Sequence, residues 1–181
     1  MTRFGYVMTT YFLVLMIGGL SFIHITPALI WNASASTPIG LYVIHSAHGL
    51  ELTDLVAVNP PEPLATFLDE RGYLGRGARL MKRVAALRGQ RVCRHERSIT
   101  VDGVFMGEAL ERDRIGRDLP VWQGCRRIDD GEVFLMNAQV RDSLDGRYFG
   151  PISASSIIGR AVPLWTDEDG TGRYEWRAAT R

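Results

Sequence analysis

The sequence predicts a mainly β protein: an N-terminal transmembrane helix, then one antiparallel β-domain carrying one short helix. Three observations predict it. No Lys, Arg, Asp or Glu lies between Arg3 and Glu51, and Tyr6 to Ile30 is almost wholly apolar. Beyond residue 31, short β-branched and aromatic runs recur between turn formers. Only Glu62 to Arg71, opening after Pro60-Pro61, has a helical pattern in that region.

The apolar run is long enough to span a bilayer, which needs ~20 helical residues to cross ~30 Å of hydrocarbon. Tyr6, Tyr11 and Trp31 lie near its ends, where aromatic rings favour the interface, and Pro27 lies where a helix ends or bends cheaply. Arg3 and the N-terminal amine are the only positive flank. The charge bias therefore puts the N-terminus in the cytoplasm and the β-domain outside. Ala33-Ser34-Ala35 fits a signal-peptide cleavage pattern, but the run exceeds the ~7–15 residues of a usual signal core. His24, inside the span, reads as a tolerated neutral imidazole.

The strands follow in order. Leu41 to Ile44 and Leu55 to Val58 are short β-rich runs. Arg79 to Ala86 alternates, Val92 to Val101 holds a strand pair, and Val101-Asp102-Gly103-Val104 is a tight-hairpin signal. Glu132 to Met136 and Ile157 to Val162 complete the set. The segment Arg112 to Pro120 reads as a polar loop. There are no repeats and no linker to a second domain. The expected organisation is 1–31 cytoplasmic N-terminus and anchor, 32–165 extracytoplasmic domain, and 166–181 polar tail.

The 181 residues carry a formal charge of +1, so nothing points to a nucleic-acid partner. Twenty arginines accompany one lysine, Lys82. Arginine keeps its proton, whereas a buried lysine can lose it. On a strand, Leu80, Lys82, Val84 and Ala86 share one face and Met81, Arg83 and Ala85 the other. Lys82 then lies on an apolar face, where burial disfavours the ammonium, or it snorkels to a strand edge. A neutral amine there takes a proton from a serine hydroxyl. Such a serine is available in Asn32-Ala33-Ser34-Ala35-Ser36-Thr37-Pro38-Ile39-Gly40, which follows the apolar run; its bland reading is a juxtamembrane linker. Asp142-Ser143-Leu144-Asp145-Gly146-Arg147 reads as a turn with an internal ion pair. His24, His45, His48 and His95 show no metal spacing, and no cofactor is expected. A Ser-His-Asp arrangement using His45 or His48 is a weaker alternative. Cys93 and Cys125 are either one disulfide or two buried thiols.

Taken together, Ser34 to Tyr42, Leu80 to Gln90 and Asp142 to Pro151 resemble, in order and spacing, the signal peptidase I family of serine peptidases. They look most like its TraF-type conjugative-transfer branch. The resemblance implies a signal peptidase I type β-domain and a Ser-Lys dyad of Ser36 and Lys82. It implies an oxyanion hole from the Ser34 hydroxyl and the Ser36 N–H, with Ser143 orienting Lys82 and Asp145 and Arg147 holding the loop. Leu119 to Cys125 also resembles that branch and implies a Cys93–Cys125 disulfide. The anchor is implied as well, since cleavage after Ala35 discards Ser34. The implied location is a bacterial inner membrane, single-pass, with residues 32–165 as a periplasmic peptidase domain. The implied substrate is a membrane-bound pilin or preprotein, with conjugation or type IV secretion components as further partners. Two features depart from housekeeping members: Asn137-Ala138-Gln139 replaces the usual Gly-Asp-Asn lead-in, and Gly146 stands where a second serine is usual. General signal-peptide processing and a non-catalytic assembly role remain the rival readings.

Overall fold

The computed structural model describes residues 2–20 and 28–179. Helix α1 (Arg3–Leu20) is followed by β1 (Leu29–Asn32), β2 (Ile39–His45), β3 (Leu55–Val58) and α2 (Glu62–Glu70). Next come β4 (Leu80–Ala86), β5 (Arg91–His95), β6 (Ser98–Val101), β7 (Val104–Glu108), β8 (Gly124–Arg127) and β9 (Glu132–Leu135). The chain ends with α3 (Gly146–Phe149), β10 (Ile152–Ser153), β11 (Ile157–Asp167) and β12 (Glu175–Trp176).

These strands make two antiparallel sheets. The larger has eight strands ordered β1-β2-β11-β3-β4-β9-β10, with β12 also paired to β11. The smaller is β7-β6-β5-β8. The β6–β7 hairpin turns on Asp102 and Gly103, both at positive φ, as a two-residue turn with the twist of its strands requires. Cys93 and Cys125 face each other across β5 and β8 and form a disulfide.

Strand β11 lies between β2 and β3, so the C-terminal part of the domain holds its beginning in place. This packing is close. A Cβ on Gly159 would sit 2.2 Å from the His45 carbonyl oxygen, and one on Gly40 would sit 2.3 Å from that of Trp165. Both faces of the central strands are buried. Tyr42, Leu55, Ala57, Met81 and Ala161 pack on one side, and Val56, Val58, Val84, Val133, Leu135 and Ile157 on the other.

Three expectations need correction: the C-terminal bound of the apolar span, the number of helices in the domain, and the tail. The span expected over Tyr6–Ile30 runs through residues 21–27, including His24, which lie outside the described residues. Among the described residues no helix is long and apolar enough to cross a membrane, and Leu29 and Ile30 belong to β1. Beyond the one expected helix there is a second, α3, too short to show a helical period in sequence. The stretch from residue 166 is not only a tail: Thr166 and Asp167 end β11, and Glu175–Trp176 pairs back onto it. On β4, Met81 and Ala85, on the face opposite Lys82, are buried as Lys82 is. Alternation alone cannot report that a second layer covers that face.

Candidate active site

Ser36 sits in the short loop between β1 and β2. Asn32 shapes that loop from within. Its buried amide donates to the carbonyls of Ser34, Thr37 and Pro38 at 2.9, 3.0 and 3.1 Å, and its Oδ1 accepts from the Ser34 N–H. Three carbonyls turned onto one side chain make the loop curl, and the curl presents Ser34 and Ser36 outward. Their hydroxyl oxygens lie 2.9 Å apart, and the Ser36 N–H donates to Ser34 Oγ at 3.4 Å.

Lys82 comes from β4, opposite Val56 of β3. Its side chain is buried, and its Nζ donates to Ser36 Oγ at 3.1 Å and Ser143 Oγ at 2.8 Å. Burial pushes the amine pKa down from 10.5, the Asp145 carboxylate pushes it up, and Arg147 pushes it down again. The result is about 8. Burial dominates because an ammonium loses more hydration than two neutral hydroxyls return.

Behind Ser143, Arg147 and Asp145 form a fully buried ion pair, with Nη2 to Oδ2 and Nε to Oδ1 both at 2.9 Å. The Arg147 guanidinium also donates to the carbonyls of Glu108, Asn137, Val140, Arg141 and Ser143. One side chain thus closes the 137–147 loop and ties it to the end of β7. Burial works against this cation, but Asp145 more than offsets it and leaves the Arg147 pKa raised. At Gly146 a Cβ would lie 2.5 Å from the Phe134 ring. A second serine there has no room, which accounts physically for that departure.

Asn137, read from sequence only as part of a departure, links all three segments. Its Nδ2 donates to the Ser36 carbonyl at 2.7 Å and the Met81 carbonyl at 3.2 Å. Its Oδ1 accepts from the Arg83 N–H, and its own N–H donates to Asp145 Oδ2. Sequence reasoning missed Asn32 and Asn137. The available signal was a polar amide at the end of an apolar strand run, which must find partners when buried.

Ser34, Ser36, Lys82 and Ser143 therefore meet, with Asp145 and Arg147 behind them. His45 and His48 do not join: both are exposed, and neither side chain is hydrogen-bonded to Ser36. The disulfide lies in the smaller sheet, outside the cleft that Ser36 and Lys82 line. That cleft has a volume of about 550 Å³ and runs between α2, the 110–119 segment and the 140–144 loop. Tyr73 and Arg117 both bond the Asp113 carboxylate, pinning the 110–119 segment near α2. Burial would raise the Asp113 pKa, but those bonds, from the Tyr73 hydroxyl and the Arg117 and Ile115 N–H groups, hold it well below the usual range.

The family described as signal peptidase, peptidase S26, matches residues 1–165. A plasmid transfer protein TraF of Escherichia coli is 36% identical over 147 residues, covering 74% of this chain and 82% of its own. A conjugal transfer protein TraF of Agrobacterium fabrum is 36% identical over 147 residues, covering 75% and 81%. A probable signal peptidase I-1 of Synechocystis is 30% identical over 120 residues, covering 66% and 57%.

Proposed function

The chain belongs to the signal peptidase family, peptidase S26, and on that premise we propose that it is a membrane-anchored serine endopeptidase with a Ser36-Lys82 dyad that processes a conjugative pilin precursor. The observation that carries this is the sole lysine: buried, with a pKa of about 8, and 3.1 Å from Ser36 Oγ. At pH 7 about one amine in ten is then neutral and able to act as a base.

The reaction runs as follows. Neutral Lys82 takes the Ser36 proton as Oγ attacks the substrate carbonyl. The resulting oxyanion is met by the Ser36 N–H and the Ser34 hydroxyl, whose proton turns toward it. Donors of this kind are each worth ~10²–10³ in rate. The C–N bond then breaks, Lys82 returns its proton to the departing amine, and an acyl-Ser36 ester remains. Water hydrolyses the ester, or a substrate amine attacks it and closes a peptide ring. Ser143 keeps the amine aimed throughout. The substrate lies extended beside β4, where β9 pairs only from Val84 onward, as an added strand.

The names of the transfer-protein relatives support a conjugation substrate, and the proposal takes type IV secretion components as further partners. The apolar α1 and the exposed Leu29, Trp31, Trp165 and Trp176 support a domain held at a membrane surface, which the proposal takes to be the periplasmic face of the inner membrane. The signal peptidase relative favours a second reading, general removal of secretory signal peptides.

The test is mass spectrometry of the pilin precursor co-expressed with wild type, Ser36→Ala or Lys82→Arg. Processing by wild type alone supports the dyad, and a product one water lighter than the linear peptide reports ring closure. Normal processing by Lys82→Arg refutes the mechanism. Rescue of a signal-peptidase-depleted strain favours the general enzyme. Processing in the presence of Ser36→Ala makes this chain a non-catalytic assembly factor.

A further inference from the structure

The cleft beside Ser36 is unevenly charged. Four arginines line it, Arg71, Arg79, Arg114 and Arg117, against two carboxylates, Asp113 and Asp142. The two carboxylates are already taken: Arg117 pairs with Asp113 and Arg114 with Asp142. Among the described residues, Arg71 and Arg79 have no carboxylate partner, yet each is held in place. Arg71 donates to the Asp118 carbonyl at 2.8 Å and stacks on Phe67, 4.9 Å from its centroid. Arg79 donates to Asn59 Oδ1 at 3.1 Å and the Gly77 carbonyl at 2.7 Å. Neutral acceptors orient a guanidinium without cancelling its charge. A concave wall with uncompensated charge of one sign concentrates field on whatever enters, and a pre-aimed guanidinium binds a carboxylate at little further entropic cost.

We propose that Arg71 and Arg79 form a subsite for a substrate carboxylate about three residues from the scissile bond. This rests on the peptidase reading above and names the class of substrate it selects. The distance follows from the strand. Arg79 immediately precedes β4 and lines the same cleft as Lys82, three positions on, so their backbones lie within about 10 Å at ~3.3 Å per residue, the reach of about three residues of an extended substrate. Leu74, Leu80 and Leu144 also line the cleft and offer apolar contact. The preferred segment is therefore an acidic residue separated by small or apolar ones from the bond that Ser36 attacks.

The experiment uses the full chain in detergent with a chymotryptic peptide library of a bacterial proteome, which keeps internal Asp, Glu, Lys and Arg, and cut sites are read by mass spectrometry. A parallel library with amidated C-termini separates an Asp or Glu side chain from a terminal carboxylate. The expected result is about tenfold enrichment of the carboxylate over Asn or Gln at one position two to four residues from the cut. Arg79→Gln should lose most of it, and the double reversal Arg71→Glu, Arg79→Glu should favour Lys or Arg there. Ser36-dependent cuts without acidic preference, or with a preference unchanged in the arginine variants, overturn the subsite alone. The wild-type arm is decisive even if a variant fails to fold. Absence of any Ser36-dependent cut overturns the peptidase reading, and the subsite with it.

Discussion

Replacing Lys82 by methionine removes the amine while keeping most of the side chain's volume. The fall in the Lys82 pKa from 10.5 to about 8 corresponds to about 3 kcal/mol of native-state cost while the amine is protonated. Methionine avoids that cost but leaves Ser36 and the buried Ser143 without their Nζ partner, a loss of about 1–2 kcal/mol. At pH 7 the variant should therefore be more stable than wild type by about 1–2 kcal/mol while having no activity. The pH dependence is the sharper test. Between pH 8 and 10.5 the native lysine binds fewer protons than the unfolded one, so wild-type stability rises with pH there. From pH 7 to 10 wild type should gain about 2–3 kcal/mol relative to Lys82→Met. Urea unfolding at pH 7, 8, 9 and 10, followed by tryptophan fluorescence on both proteins, measures this difference and cancels every other titrating group. A difference that stays flat over this range would refute the claim that burial holds the amine down.

The same pKa predicts that kcat/KM rises about tenfold per pH unit below pH 8 and levels off above it, as pH–rate measurements on any Ser36-dependent substrate would show. Arg147→Met leaves Asp145 buried without its cation, so unfolding in urea should show about 3–5 kcal/mol of destabilisation. The larger change Asp145→Leu with Arg147→Met should cost less than either single change. Gly146→Ser should lower the melting temperature, because the added atoms meet the Phe134 ring and the Leu135 carbonyl. Reducing Cys93–Cys125, which closes a separation of 32 residues, should cost about 3–4 kcal/mol by urea titration with and without reductant.

Much of the fold was legible because its signals are local. Leu55–Val58 is a strand with the bounds its composition indicates, and Pro60-Pro61 marks the start of α2. Asp102-Gly103 marks its hairpin because the two-residue turn needs positive φ twice. Lys82 announces itself by sitting among apolar alternating positions in a chain otherwise basic only through arginine. The order of the three motif segments was enough to indicate the family, because motif spacing is a property of the chain itself.

Other features depend on contacts between residues far apart, which no window of sequence contains. The pairing of β11 between β2 and β3 brings residue 166 opposite residue 40. That register, not local propensity, makes Gly40 obligatory and turns a supposed tail into sheet. Asn137 looked like an ordinary amide, and only folding puts it against Ser36, 101 residues away. Arg71 and Arg79 look like two more solvated arginines until the cleft shows which of their neighbours are already paired. The sequence alone determined which groups can react: one lysine, one serine-rich loop and one Asp-Arg turn. The tertiary structure decided that the lysine is desolvated, which serine it meets and what charge surrounds them. Desolvation and Coulomb interaction depend on distance through space and on the dielectric around each group, and neither is a function of position along the chain.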